Sequence, residues 1–185
     1  MEKTLMLAFA SKKLTSTAVV VITTLSLFWF INSTAEVSNL KQELLPEVVI
    51  KNGADLATDG DEASKKQIPV LMFFSMKHCP FCIEVEEDYL KPMLRNSEYD
   101  SKIIIRKIRI DGTDSVRDFA GKEHDADDFS DLYNVSMVPT LVLVDSKGRK
   151  ISPSIIGIAN AHYYSHELDK AINSSTKKIR TFAKR

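Results

Sequence analysis

Only two cysteines occur among the 185 residues, and they stand three apart as Cys79 and Cys82. With no other thiol in the chain, a framework of several disulfides is excluded. There is no second CxxC, so a zinc site built on two such pairs is excluded as well. An excess of one charge is also missing: Lys plus Arg and Asp plus Glu are 25 each, for a formal net charge of zero. A nucleic-acid binder would carry a basic excess or stripe. Tryptophan occurs once, as Trp29, and there is no internal repeat or low-complexity segment.

Residues 14–31 are free of charged side chains and contain the apolar runs Ala18–Ile22 and Leu25–Ile31. Lys12 and Lys13 precede them, and Ser33-Thr34-Ala35 follows with small side chains. A charged start, an apolar stretch and a small-residue site are the pattern of a secretory signal. The rival reading is an uncleaved anchor in the inner membrane, since eighteen helical residues reach about 27 Å. Six hydroxyl side chains (Thr15, Ser16, Thr17, Thr23, Thr24 and Ser26) weaken a span, whereas the apolar stretch 5–10 makes an unusually long signal start. Either reading sends the rest of the chain to the periplasm or another oxidising compartment. Membrane contact is expected only through this segment, if it is retained.

Past residue 35 the chain is expected to fold as an α/β domain. A short helix over Leu40, Leu44 and Leu45, a first strand over 47–50 and an exposed helix over 59–66 lead to Pro69. Val70-Leu71-Met72-Phe73-Phe74 is a continuous apolar run, the pattern of a strand buried on both faces. A helix follows Cys82, with Pro92 expected to kink it. Residues 103–110 read as a strand, 113–127 as an exposed loop or insertion and 128–133 as a short helix. Strands over 140–144 and 150–156 make a hairpin, and 159–172 the last helix. Strands alternating with helices and ending in a hairpin predict a three-layer α/β/α sandwich with a mixed central sheet. The expected divisions are a signal or anchor (1–35), an extension with the first elements (36–67), the main domain (68–173) and a basic tail (174–185).

The sequence Cys79-Pro80-Phe81-Cys82 lies between the buried-strand pattern and the helical one. At a helix N-terminus, free N–H groups and the helix dipole favour an anion, so Cys79 is the thiol stabilised as the reactive thiolate. Cys82, one turn later, closes the ring: Cys79 attacks and Cys82 resolves the mixed disulfide. As a structural disulfide so short a ring would constrain the unfolded chain little. Haem attachment is excluded because Ile83 stands where a histidine is needed. His162 and His166, four apart, read as a solvated helix face rather than metal ligands.

Two further segments carry a family likeness. Tyr133 to Leu141, with Val138-Pro139-Thr140 at its centre, resembles the cis-proline segment of the thioredoxin family, and residues 107–111 resemble the end of its central strand. The resemblance covers roughly residues 69–172 and is close to the exported branches with Cys-Pro-aromatic-Cys. It implies the thioredoxin fold, a cis Pro139 beside the CxxC, and substrate contact through Val138, Pro139 and Thr140. Two departures stand out. His78 replaces the usual tryptophan before the first cysteine, and Phe73 occupies the position of the family's buried carboxylate. His78 is either a cation that lowers the Cys79 pKa or an exposed polar lip. The proton acceptor for Cys82 is open among Glu84, Glu86 and water, and Lys107 is a further charge that could act on Cys82.

The expected function is thiol–disulfide exchange on protein or peptide thiols and disulfides, with an upstream redox partner, no nucleic acid and no cofactor beyond the two cysteines. Its direction is open: the resemblance favours reduction, and His78 favours oxidation. The alternatives are a copper-binding or assembly factor using the same thiols with Met76 and His78 nearby, and a scaffold with a vestigial motif.

Overall fold

Val70 to Phe74 form, with Ser75, the strand β1 (Val70–Ser75), and all six residues are buried. The computed structural model describes residues 46–183, all but the first two of them in the unit that begins at Val48. The apolar segment 14–31 and the helix expected around Leu40–Leu45 lie outside the described residues. Among those described, no helix is long and apolar enough to cross a membrane.

β1 pairs in parallel with β2 (Ile104–Arg109) from Val70 opposite Ile104 to Ser75 opposite Arg109. On its other side it pairs antiparallel with β5 (Thr140–Val144). The sheet order is β2-β1-β5-β6, with β6 at Ile155–Ile156, so the sheet is mixed as expected. The two-residue period of a strand sorts the apolar side chains into two cores. Val70, Met72, Phe74, Ile104, Ile108, Val142 and Val144 face α1 (Leu56–Lys66) and α4 (Ala126–Asp131). Leu71, Phe73, Ile105, Leu141 and Leu143 face the helical run after the cysteines and α5 (Ala161–Phe182). Tyr164, Leu168 and Ile172 of α5, spaced every four residues, close that second core.

That helical run is α2 (Pro80–Glu84), a π turn (Val85–Leu90) and α3 (Lys91–Arg95). The irregularity precedes Pro92 instead of starting at it. Proline has no N–H and its ring clashes with the carbonyl four residues back, and a wider turn ahead of it relieves both.

Several expected elements differ. The strand expected over 47–50 reduces to one parallel bridge, Asn52 opposite Lys107, held by Lys107 N–H to Lys51 O and Gly53 N–H to Lys107 O, each 2.9 Å. The chain leaves the sheet there because Asp55 caps α1, accepting the Thr58 N–H at 3.2 Å. The helix expected to be exposed over 59–66 is longer and buries Leu56, Asp59, Gly60 and Ala63. Gly60 permits this: a Cβ there would come within 2.6 Å of the Ser146 carbonyl oxygen. The return strand expected over 150–156 keeps only the Val144–Lys150 bridge and β6, since Pro153 cannot donate to a ladder. The last helix runs to Phe182, ten residues past its expected end, taking in most of the basic run.

Residues 113–127, expected to be loop, contain a ribbon of β3 (Ser115–Arg117) and β4 (Glu123–Asp125) that buries Val116. Asp118 ties its turn. Its Oδ1 accepts the Ala120 and Lys122 N–H groups at 2.8 and 2.9 Å, and its Oδ2 lies 2.9 Å from His124 Nε2. Burial pushes the Asp118 carboxyl up, but the bonds from His124, Lys122 and Ala120 outweigh it and hold it below the usual carboxylate range. A carboxyl lowered in the folded state stabilises that state above its unfolded value of about 3.9, and the contribution is lost as pH falls through the lower folded value. Asp118→Asn is therefore expected to lower stability at pH 7 and to leave a shallower loss of stability below pH ~4. Denaturant midpoints across pH measure both, and parallel acid limbs in the two proteins would contradict it.

Candidate active site

Three residues, Met76 to His78, connect the end of β1 to the first cysteine, and the side chains of all three are exposed. Backbone anchors hold this loop in place of packing. Ser75 O accepts the Ile110 N–H at 3.0 Å, and the Lys77 N–H donates to Asp111 Oδ2 at 2.8 Å. Asp111 lies two residues past the end of β2, and its carboxylate reaches across 34 positions in sequence to steady the approach to Cys79.

Cys79 caps α2 and Pro80 takes the first helical position, where its missing N–H costs nothing. The Cys82 N–H donates to Cys79 Sγ at 3.1 Å, and Cys79 O accepts the amides of Cys82 and Ile83 at 3.0 and 3.1 Å. The two cysteines are joined in a disulfide. They differ in access: Cys79 is half-buried at the surface, whereas Cys82 is 3 % exposed and belongs to the core with Phe73 and Val85. An incoming sulfur can meet Cys79 and has no comparable path to Cys82.

The Val138 carbonyl oxygen lies 4.0 Å from Cys79 Sγ, and the Val138–Pro139 peptide bond is cis. Pro139 O accepts the Gly157 N–H at 2.8 Å. Thr140 is buried, and its hydroxyl donates to Met137 O at 2.7 Å, which braces the loop from within. Of the three residues expected at the substrate, Pro139 and Thr140 thus spend these polar groups on the loop itself. The Val138 N–H has no hydrogen-bond partner among the described residues. Met76, Phe81, Met137 and Ile156 are large apolar side chains exposed in the segments that frame this cleft.

His78 is exposed beside Cys79 and makes no hydrogen bond or ion pair among the described residues. His162 and His166 are both exposed on α5. No group of three or more His, Cys, Asp or Glu among the described residues is arranged to hold a metal. Glu86 and Lys107, considered separately in the sequence, meet: Lys107 Nζ lies 2.6 Å from Glu86 Oε2, with side chains 28 % and 16 % exposed. Sequence reasoning missed this pairing and the Asp111 anchor. Nothing local marks either, since 21 and 34 positions separate the partners.

The model of the thioredoxin-like domain matches residues 56–172, more than half of the chain. Similar solved structures include a poplar thioredoxin h (21 % identity, covering 61 % of this chain and 84 % of that one, TM-score 0.45). Mitochondrial thioredoxin 3 from Saccharomyces cerevisiae (22 %, 67 % and 93 %, TM-score 0.43) and a DsbH oxidoreductase (14 %, 68 % and 87 %, TM-score 0.49) are also similar. No curated protein matches the chain.

Proposed function

The chain belongs to the thioredoxin-like family, and from that premise we propose that it is an exported thiol–disulfide oxidoreductase that reduces protein disulfides through Cys79 and Cys82. The carrying observation is the unequal access of the two sulfurs. Cys79 faces the cleft, 4.0 Å from Val138 O, while Cys82 is buried behind it. Reduced Cys79 attacks a substrate disulfide as the thiolate, and Cys82 then displaces the substrate from the mixed disulfide. The free Val138 N–H and its carbonyl offer a backbone pairing to an extended substrate segment, and the apolar side chains around it suit a polypeptide. Export rests on the sequence of residues 12–35, and catalysis further requires a dithiol donor to re-reduce the pair.

Direction follows from how strongly the reduced form is held. A couple becomes oxidising when its thiolate is stabilised. The Cys82 amide donates to Cys79 Sγ and His78 stands exposed beside it, and the potential of the couple reads how far the two hold the thiolate. The full-length protein, in detergent if residues 14–31 are retained, is equilibrated against thiol–disulfide buffers and read by alkylation. A potential near about −270 mV is expected for a reductant, and one near about −120 mV would reverse the direction. A pair that never equilibrates would sink the enzyme reading.

A further inference from the structure

The sheet has two ends, and only one of them carries the cysteines. β1 ends at Ser75, three residues before the cysteine loop reaches His78, and a strand of its length spans about 17–20 Å. β5 runs the opposite way, from Thr140 to Val144, so the turn over 145–150 lies at the end remote from Cys79. The last residues of α1, this turn and the last residues of α5 line a groove of about 410 Å³ there. Its walls include Ala63, Ile68, Ile179 and Phe182, with Lys147 and Arg149 beside them. The Phe182 ring is 60 % exposed.

Cations crowd this end. From Lys170 to Ala183 the sequence has Lys170, Lys177, Lys178 and Arg180 and no acid, and all four are exposed. α1 ends in Lys65 and Lys66. The neighbouring acids are largely engaged. Asp145, 8 % exposed, accepts the Lys147 and Arg149 N–H groups at 2.9 and 3.0 Å and Arg149 Nε at 2.7 Å. Glu62 holds Lys66 at 2.7 Å, and Asp118, which shares a second groove with Lys147, is bonded to His124. Asp61, one helical turn before Lys65, offsets a single charge. Helix dipoles explain part of the excess, because α1 and α5 both end here and cations in a last turn offset the partial negative charge. That reason does not reach Lys147, which is on no helix, or Lys177, more than a turn before Phe182. It also leaves the exposed ring unexplained.

We propose that this end of the domain rests on an anionic bilayer surface, with Phe182 in the headgroup layer and Lys147, Lys177 and Arg180 against lipid phosphates. An aromatic ring set among cations matches the interface of such a bilayer, where the ring enters the headgroup region and the charges meet the negative surface potential. Lysine outnumbers arginine here. Its mobile, hydrated ammonium suits the diffuse field of a fluid surface, whereas a fixed carboxylate on a protein partner is better met by the arginine fork. The contact is independent of the thiol chemistry and separate from residues 14–31. It turns the CxxC end of the sheet away from the lipid, toward solvent.

The test puts a single tryptophan at the contact, Trp29→Phe/Phe182→Trp, in the full-length protein reconstituted with vesicles whose lipids are brominated near the headgroup. The vesicles are phosphatidylcholine alone or phosphatidylcholine mixed with phosphatidylglycerol. Bromine quenching of the tryptophan is expected on the mixed vesicles, little of it on phosphatidylcholine, and its loss in ~1 M salt, where the Debye length is ~3 Å. Each cation near an anionic surface is worth about a fivefold change. Lys147→Gln/Lys177→Gln/Arg180→Gln in the reporter background should therefore lower the ratio of quenched to unquenched protein by ~10²-fold. The same charge removed elsewhere, by Lys51→Gln/Lys77→Gln/Lys122→Gln, should leave that ratio nearly unchanged. The salt series alters none of these cations, so its outcome stands apart from any folding defect in the variants. Equal quenching on both kinds of vesicle, quenching on neither, or an equal loss in the two triple variants overturns the proposal.

Discussion

Cys82→Ser is expected to turn the protein into a covalent trap that holds one substrate per chain, while Cys79→Ser abolishes exchange to the background rate. The asymmetry is geometric. Cys79 is reachable at the cleft and receives the Cys82 N–H at 3.1 Å, so it retains its nucleophile and its stabilising donor when the second sulfur is gone. A backbone amide does not depend on the side chain at position 82. The mixed disulfide then forms and persists, because serine is no nucleophile toward a disulfide at neutral pH. Cys79→Ser leaves only a sulfur that is 3 % exposed, where neither a protein disulfide nor an alkylating reagent can approach. Non-reducing electrophoresis of each variant with a disulfide-bonded protein substrate reads both outcomes. Equal trapping by the two variants would show that access to the sulfurs is not what divides their roles.

The largest structural effect is expected from Asp59→Ala. Asp59 of α1 is 6 % exposed and holds the Arg106 guanidinium of β2 in a two-pronged pair, Nε to Oδ2 at 2.8 Å and Nη2 to Oδ1. The remaining Arg106 nitrogen, Nη1, donates to Ile105 O at 2.9 Å. Removing the carboxylate leaves a largely buried cation without its hydrogen-bonded counter-charge, with Glu62 acting on it only through space, a change that costs about 3–5 kcal/mol. Against a whole-domain stability of roughly 5–15 kcal/mol, that brings the fold near its limit. Denaturant midpoints at constant slope measure it. The companion Asp59→Leu/Arg106→Met should recover most of the loss, because replacing both charges with packed apolar groups removes the desolvation problem instead of exposing it. A loss below about 1 kcal/mol in Asp59→Ala would mean that water already reaches Arg106.

Both expectations concern pairs that differ in how far they could be seen in advance. The two sulfurs were legible because their relationship is local: three positions, a proline between them, a buried strand before and a helix after. The Asp59–Arg106 pair was not, since 47 positions separate its members and α1 itself was read as exposed. A charged residue in an amphipathic helix has the same local pattern whether it meets water or a buried guanidinium.

By itself the sequence determined what depends on neighbours along the chain. The apolar runs of β1 and β5 and the helix after the CxxC follow from periodicities and breakers within a few residues, and the place of Val138-Pro139 followed from the family resemblance. They sufficed for the mixed sheet between two helical layers. The tertiary structure alone decided which polar groups are paired across those layers. It put Glu86 against Lys107 and the Asp111 carboxylate on the Lys77 amide, and it folded residues 115–125 into a ribbon. It also reduced two expected strands to a bridge and a two-residue edge. The reason is the same in each case. A hydrogen bond or ion pair between distant residues is selected by the three-dimensional proximity that core packing creates, and hydrophobic periodicity specifies the packing without naming the polar partners.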